Sequence, residues 1–268
     1  MNNDRFFLER KNDTRTFPIF DDETPLAKRN LWWLIVLPPL IFAIVVIPQI
    51  LWPDIDTSTK GMVEETLIVL WQDVMPLILF ILMLHELAGR SLRSFFKKLT
   101  WHDIGDGVVA LLLGNLYAII TSLTLTAISK NLVAANITTG SFKAGMPKSE
   151  LTTNFIREVL TDIPSLLCEE LLAIIPMLAA ATLAYRYYGQ SRKNSIWIGL
   201  LVSIFVFGLA HFSAYDWHLA QMFIVIGMSR LFDTGVYIRT KNLWVSYISH
   251  YLWDTVSSGI LFLIAMNK

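Results

Sequence analysis

Five ionisable side chains interrupt otherwise apolar stretches of this chain: Glu169 and Glu170 in CEELLAIIPML, His211 in FVFGLAHF, and His250 with Asp254 in ISHYLWDTV. A carboxylate can take a proton from water, an imidazole can hold or pass it, and a protonated ring or an amide can donate to an oxygen that is gaining charge. A charged group at the centre of a bilayer costs roughly 3 kcal/mol on insertion scales, so such groups in spanning runs are kept for a site more often than for stability. The set reads as an intramembrane active site.

The spacing says how the groups can act together. Adjacent helical residues point about 100° apart, so one of Glu169 and Glu170 should line a cavity while the other pairs with the backbone or a neighbouring helix. Pro164 and Pro176 flank the pair. Each removes a backbone hydrogen bond and tends to kink the helix, which favours a polar cavity at this level. His211 lies four residues after Phe207 and shares its helix face, and Gly208 between them admits a close helix neighbour. His250 and Asp254 stand at i and i+4. That spacing suits an imidazole held by a carboxylate, or two donors converging on one oxygen. The bland alternatives are a helix-bridging hydrogen bond for the glutamates and a structural ion pair for His250 and Asp254.

Other polar residues carry less. Asp73, Asn115 and Gln221 are isolated in their spans and are expected to bridge helices. His85 and Glu86 lack the second histidine of HExxH. His102, His218 and Asp233 are expected to be solvated near the interfaces. Cys168, the only cysteine, excludes an internal disulfide. It points away from whatever Glu169 faces and is expected to pack.

These residues need helices to carry them. The chain is 54% hydrophobic and 16% charged, with a mean hydropathy of +0.51, which fits a polytopic membrane protein and argues against nucleic acid as a partner. Apolar runs fall near 31–52, 63–84, 108–128, 155–184, 196–212, 219–232 and 243–265. The expected fold is an all-α transmembrane bundle of seven to eight helices, with residues 1–30 as a cytoplasmic segment and 31–268 as one membrane domain. Membrane lipid and a peptide or protein substrate are the expected partners. Most of the 22 Lys and Arg residues, Arg230, Arg239 and Lys241 among them, fall before the first span or at and beyond the ends of the even-numbered ones, which puts the N-terminus in the cytoplasm. Residues 86–103 suit an amphipathic helix on the cytoplasmic leaflet. The 129–153 loop is the longest external segment, either a lid or a plain loop.

The order of Glu169 and Glu170, then Phe207 to His211, then His250 to Asp254, on three apolar helices, resembles the CPBP family of intramembrane proteases, named for CAAX processing and bacteriocin processing and also called Abi. The similarity spans about 155–265 and includes FGLAH and GVYIRTKNLWVSYISH. The resemblance implies Glu169 as general base on the hydrolytic water, His211 as its partner, His250 with Asp254 at the oxyanion, and Glu170 in support. It implies substrates from prenylated C-termini to bacteriocin leaders. A bacterial cell-membrane protein in peptide processing or self-immunity is the expected member.

Two positions depart from the family pattern EExxxR and its final His with Asn. Ile174 stands where the arginine would be, and Asp254 replaces the commoner asparagine. An ionised Asp254 accepts rather than donates, so it would orient His250 or act protonated. Depth is a further tension. At 1.5 Å per residue from the nearest cytoplasmic basic residue, Glu169 and His211 lie about 26 Å in, His250 about 13 Å and Asp254 about 20 Å. Two histidines with a carboxylate are also a zinc set, so a zinc protease stands beside the favoured metal-free mechanism. The rivals of another class are a catalytically silent binding or immunity protein and a proton-coupled transporter.

Overall fold

The computed structural model describes residues 5–51, 70–134, 142–143 and 145–268. Its helices are α1 (Lys28–Leu51), α2 (Met75–Ala88), α3 (Trp101–Ile128), α4 (Lys148–Tyr187), α5 (Arg192–Ala210), α6 (Met228–Thr240) and α7 (Leu243–Met266). Wide π-helical segments, Leu70–Val74 and Gln221–Gly227, lead into α2 and α6. The expected all-α bundle is what forms. Residues 63–69 of the expected second span, and 135–141 with 144 of the expected external loop, lie outside the described residues.

Among the described residues α3, α4 and α5 are long and apolar enough to cross a membrane. α4 is the hub. It runs unbroken through Pro164 and Pro176, its half from Leu171 to Ala184 is wholly buried, and it packs on α5, α1 and α7. Gly199 on α5 lies against the carbonyl of Met177, where a Cβ has no room, so α4 and α5 meet backbone to backbone. The outer face of α3 carries Leu112, Leu116 and Ile120 away from the protein, as a helix in contact with lipid does.

Local sequence sets the helix ends. Thr100 and Asp103 form a reciprocal capping box at the start of α3. Ser191 caps α5 and Asn242 caps α7. Between α6 and α7, Lys241 takes a left-handed φ of 49°, strained for a side-chain-bearing residue. Its ammonium is tied to the Arg15 carbonyl at 2.9 Å and to Glu9 at 3.4 Å.

The expected amphipathic helix over 86–103 does not form. α2 stops at Ala88 because Gly89 adopts φ 59°, a short 3-10 turn spans Leu92–Phe95, and the Thr100 cap starts α3. Phe95 is buried and Phe96 packs at 4.6 Å, tilted, against Trp244, so these apolar residues turn to the protein rather than to lipid.

Residues 5–27 fold over the end of the bundle. Phe6, Phe17, Ile19 and Phe20 are buried in the main core. Around them Arg10 and Arg15 clamp Asp103 at 2.8 and 2.9 Å, and Arg192 bridges Glu9 and Asp21 at 2.8 and 2.6 Å. This cap accounts for the depth tension. From the level where Glu170 meets His250, α4 runs about 26 Å to Tyr187, whereas α7 runs only about 12 Å back to Asn242. The α6–α7 turn is therefore inset, with Thr240, Lys241 and Asn242 all buried, and the N-terminal segment fills the step. Lys241 does not mark a membrane surface, and a depth counted from it comes out short.

Candidate active site

Faces of α3, α4, α6 and α7 and the end of α5 converge on one cavity of about 650 Å³. α4 contributes Glu158, Asp162, Ser165 and Glu169, α7 contributes His250, Asp254, Ser257 and Ser258, and the end of α5 contributes Phe207 and His211. Successive positions are three or four apart, with Ser257 and Ser258 both one turn on from Asp254, so each set is one face of its helix. The tyrosine hydroxyls of Tyr247 and Tyr251 on α7 donate to the carbonyls of Ile163 and Val159 on α4 at 2.8 and 2.9 Å, fixing the register of the two faces.

Glu169 sits at the centre. Its Oε2 is 3.8 Å from Nε2 of His211 and 3.8 Å from Nε2 of His250. Neither gap is a direct hydrogen bond, and both fit a shared intervening water. Nδ1 of His211 lies 2.8 Å from the carbonyl of Phe207, an acceptor only, so this nitrogen carries the hydrogen and Nε2 is left facing Glu169. Asp254 Oδ2 is 3.8 Å from Nε2 of His250.

The 100° rotation between the paired glutamates separates their surroundings. Glu169 lines the cavity, while Glu170 is wholly buried behind it. Oε1 of Glu170 accepts from Nδ1 of His250 at 3.0 Å and from Nη1 of Arg230 at 2.7 Å. The arrangement orients the imidazole through its far nitrogen, as carboxylates do behind metal-bound or catalytic histidines. Gly208 lets the π-helical segment ahead of α6 approach, since a Cβ there would come within 2.8 Å of the Met222 carbonyl.

Arg230 is the residue that the sequence reading placed wrongly. Counted there with the cytoplasmic loop cations, it is fully buried in the bundle. Its guanidinium pairs with Glu170, donates from Nε to Thr234 at 3.2 Å and lies 4.6 Å over the Phe207 ring. The cation absent from position 174 on α4 thus has a counterpart on α6, and Ile174 is plain core. One sequence signal was available: Arg230 stands inside the apolar run 219–232, with Thr234 one turn on. Ending the sixth span at Phe232 hid it.

Three further positions differ from expectation, and two that drew no expectation join the site. Asp233 lines the cavity 3.8 Å from Arg230 rather than standing in solvent. Asn115 bonds the Leu111 carbonyl of its own helix at 2.6 Å instead of bridging to another. Gln221 lines the cavity with its Oε1 unpartnered. Glu158 and Asp162, unremarked in the sequence, share the α4 face of Glu169. Cys168 is buried and packs in the core as expected. The side chain of Asp73 lies outside the described residues.

Among the described residues no group of three His, Cys, Asp or Glu side chains is arranged to hold a metal ion. Both histidines spend Nδ1 on protein acceptors and keep only Nε2 for the cavity.

Residues 161–256 match the family model described as the Rce1-like type II CAAX prenyl endopeptidase. The match contains all five of the residues that drew attention in the sequence. No curated protein and no solved structure matches the chain. This segment is an Rce1-like domain of the CPBP family of intramembrane proteases, and with its long apolar helices the chain is an integral membrane protein.

Proposed function

We propose that the protein is an intramembrane endopeptidase in which Glu169 activates a water for attack on a peptide bond, without a metal. The observation that carries the proposal is the placement of Glu169 Oε2 3.8 Å from two imidazole Nε2 atoms, at the wall of a cavity large enough for a peptide segment. A water seated among these atoms gives one hydrogen to the Glu169 carboxylate and the other to the Nε2 lone pair of His211. As its oxygen attacks the carbonyl carbon, Glu169 takes the proton and later returns it to the leaving amine.

His250 serves the other side of the bond. Protonated, it has Glu170 for one N–H, and its Nε2–H is free to donate to the carbonyl oxygen as negative charge develops there. Asp254 borders the same space, its Oδ2 3.8 Å from that nitrogen, and its charge favours the protonated ring. Glu170 and Arg230 touch no substrate. They hold the imidazole from behind.

The substrate in this reading is a membrane-associated peptide or protein, and bacterial peptide processing or self-immunity rests on the sequence resemblance alone. The N-terminus is cytoplasmic, since the cationic excess on that side survives the removal of Arg230 and Lys241. Purified protein in lipid nanodiscs, incubated with prenylated and unprenylated peptides in the presence of a chelator, tests the proposal by mass spectrometry of the products. Cleavage by wild type and none by Glu169→Gln is expected. Cleavage that chelator abolishes would replace the glutamate mechanism with a metal-dependent one.

A further inference from the structure

The cavity wall is acidic in a way that water activation does not use. Besides Glu169 it presents Glu158, Asp162, Asp233 and Asp254, and no Lys or Arg is among its described lining residues. Arg230 lies behind the wall, committed to Glu170. The unmet hydrogen-bonding capacity has the same sense. Gln221, 6% exposed, lines the cavity with Oε1 lacking a donor, and Oε2 of Glu158 also lacks one, although its Oε1 accepts from Ser258 at 2.6 Å. Orphaned acceptors in a buried site are costly unless a ligand supplies hydrogens. Ammonium and guanidinium groups are donors only, and they bring the charge this wall lacks.

We infer that the cavity selects an extended peptide segment bearing cationic side chains, and that Asp162 and Glu158 read two of its positions. The helix sets the ruler. Glu158, Asp162 and Glu169 stand at i, i+4 and i+11 on one face. Asp162 is about 10 Å and Glu158 about 16 Å from Glu169 along the axis. An extended chain advances about 3.3 Å per residue, so these carboxylates meet residues about three and five places from the bond over Glu169. Side chains two apart in an extended segment share a face, so both can turn to α4. The preferred substrate therefore carries two Lys or Arg residues separated by one residue.

The inference rests on the protease reading for its ligand being a peptide, and its test reads binding rather than cleavage so that the two can fail separately. Fluorescent apolar peptides with two lysines, two norleucines or two glutamates at alternate positions are titrated, by anisotropy, onto the full chain in phosphatidylcholine nanodiscs. Mass spectrometry reports whether each probe is cut, and the titrations are repeated on Glu169→Gln, which the protease reading leaves unable to cut them. The lysine peptide should bind at least about tenfold more tightly than the norleucine peptide, and the glutamate peptide more weakly than both. Asp162→Asn with Glu158→Gln should reduce the lysine preference to less than about threefold while leaving norleucine binding in place, which also reports that the variant is folded. Equal affinities in wild type would overturn the inference even if the variant failed to fold, and so would a preference that persists in a folded variant. Displacement of the lysine peptide by phosphatidylethanolamine would assign the wall to a lipid amine and overturn it as well. Peptide cleavage without the preference leaves the protease standing and removes the inference; the preference without cleavage does the reverse.

Discussion

Nη1 of Arg230 lies 2.7 Å from Oε1 of Glu170, with neither side chain exposed. The same oxygen takes Nδ1 of His250 at 3.0 Å, and the guanidinium also stacks over Phe207, whose carbonyl holds Nδ1 of His211. One buried cation thus supports both imidazoles that face Glu169.

Removing half of that pair leaves a buried charge without a partner. Arg230→Met should destabilise the protein by about 3–5 kcal/mol, read as a fall in the thermal midpoint in detergent. Glu170→Leu combined with Arg230→Met should regain most of that stability, because no charge is then stranded. Activity should not return, since Nδ1 of His250 has lost its acceptor. Recovery of both together would make the pair a purely structural element.

His211 touches the cavity through one nitrogen only. His211→Ala should lower kcat by about a hundredfold or more, the usual worth of a positioned acid–base partner, with little change in KM. A rise in KM at unchanged kcat would mean that the ring binds substrate instead.

At position 254 an amide can donate where a carboxylate cannot. Asp254→Asn should retain activity within about tenfold of wild type, and Asp254→Leu should lose about a hundredfold. An inactive Asp254→Asn would show that the negative charge itself is needed.

Glu9 makes the N-terminal cap sensitive to acid. Burial alone would raise its pKa, but the hydrogen bond and charge of Arg192, the backbone N–H of Phe6 and the charge of Lys241 together outweigh it and hold the carboxyl below its ordinary value of 4.5. A lowered folded pKa stabilises the fold above the unfolded value, and that contribution is lost as pH falls through the folded one. Thermal midpoints from pH 6 down to about pH 3 should therefore fall more steeply for wild type than for Glu9→Gln. Parallel curves would remove Glu9 from the account.

The sequence made the helices and the cavity-facing groups legible for a clear reason. Apolar runs about as long as a bilayer is thick predicted the last four helices to within a few residues at most ends, and charges inside such runs stand out against lipid-compatible neighbours. The i, i+4 spacing of His250 and Asp254 placed both at the cavity. Arg230 was missed because its partner Glu170 is sixty positions away, a distance at which periodicity says nothing. The cap was missed because Phe6, Phe17 and Phe20 are scattered among charges, with no repeat to reveal that they fill the step between the end of α4 and the inset α6–α7 turn. The amphipathic helix over 86–103 fails at one residue, Gly89, whose left-handed φ ends α2.

The central claim is that Glu169 delivers a solvent oxygen to a peptide carbonyl. Hydrolysis in ¹⁸O-enriched water, in the presence of chelator, reads this directly at the new C-terminus by mass spectrometry. Wild-type protein is predicted to release fragments carrying solvent oxygen in the new carboxyl group, and Glu169→Gln none. Fragments formed at equal rates by Glu169→Gln, or no fragments from wild type with any membrane-associated peptide, would contradict the account.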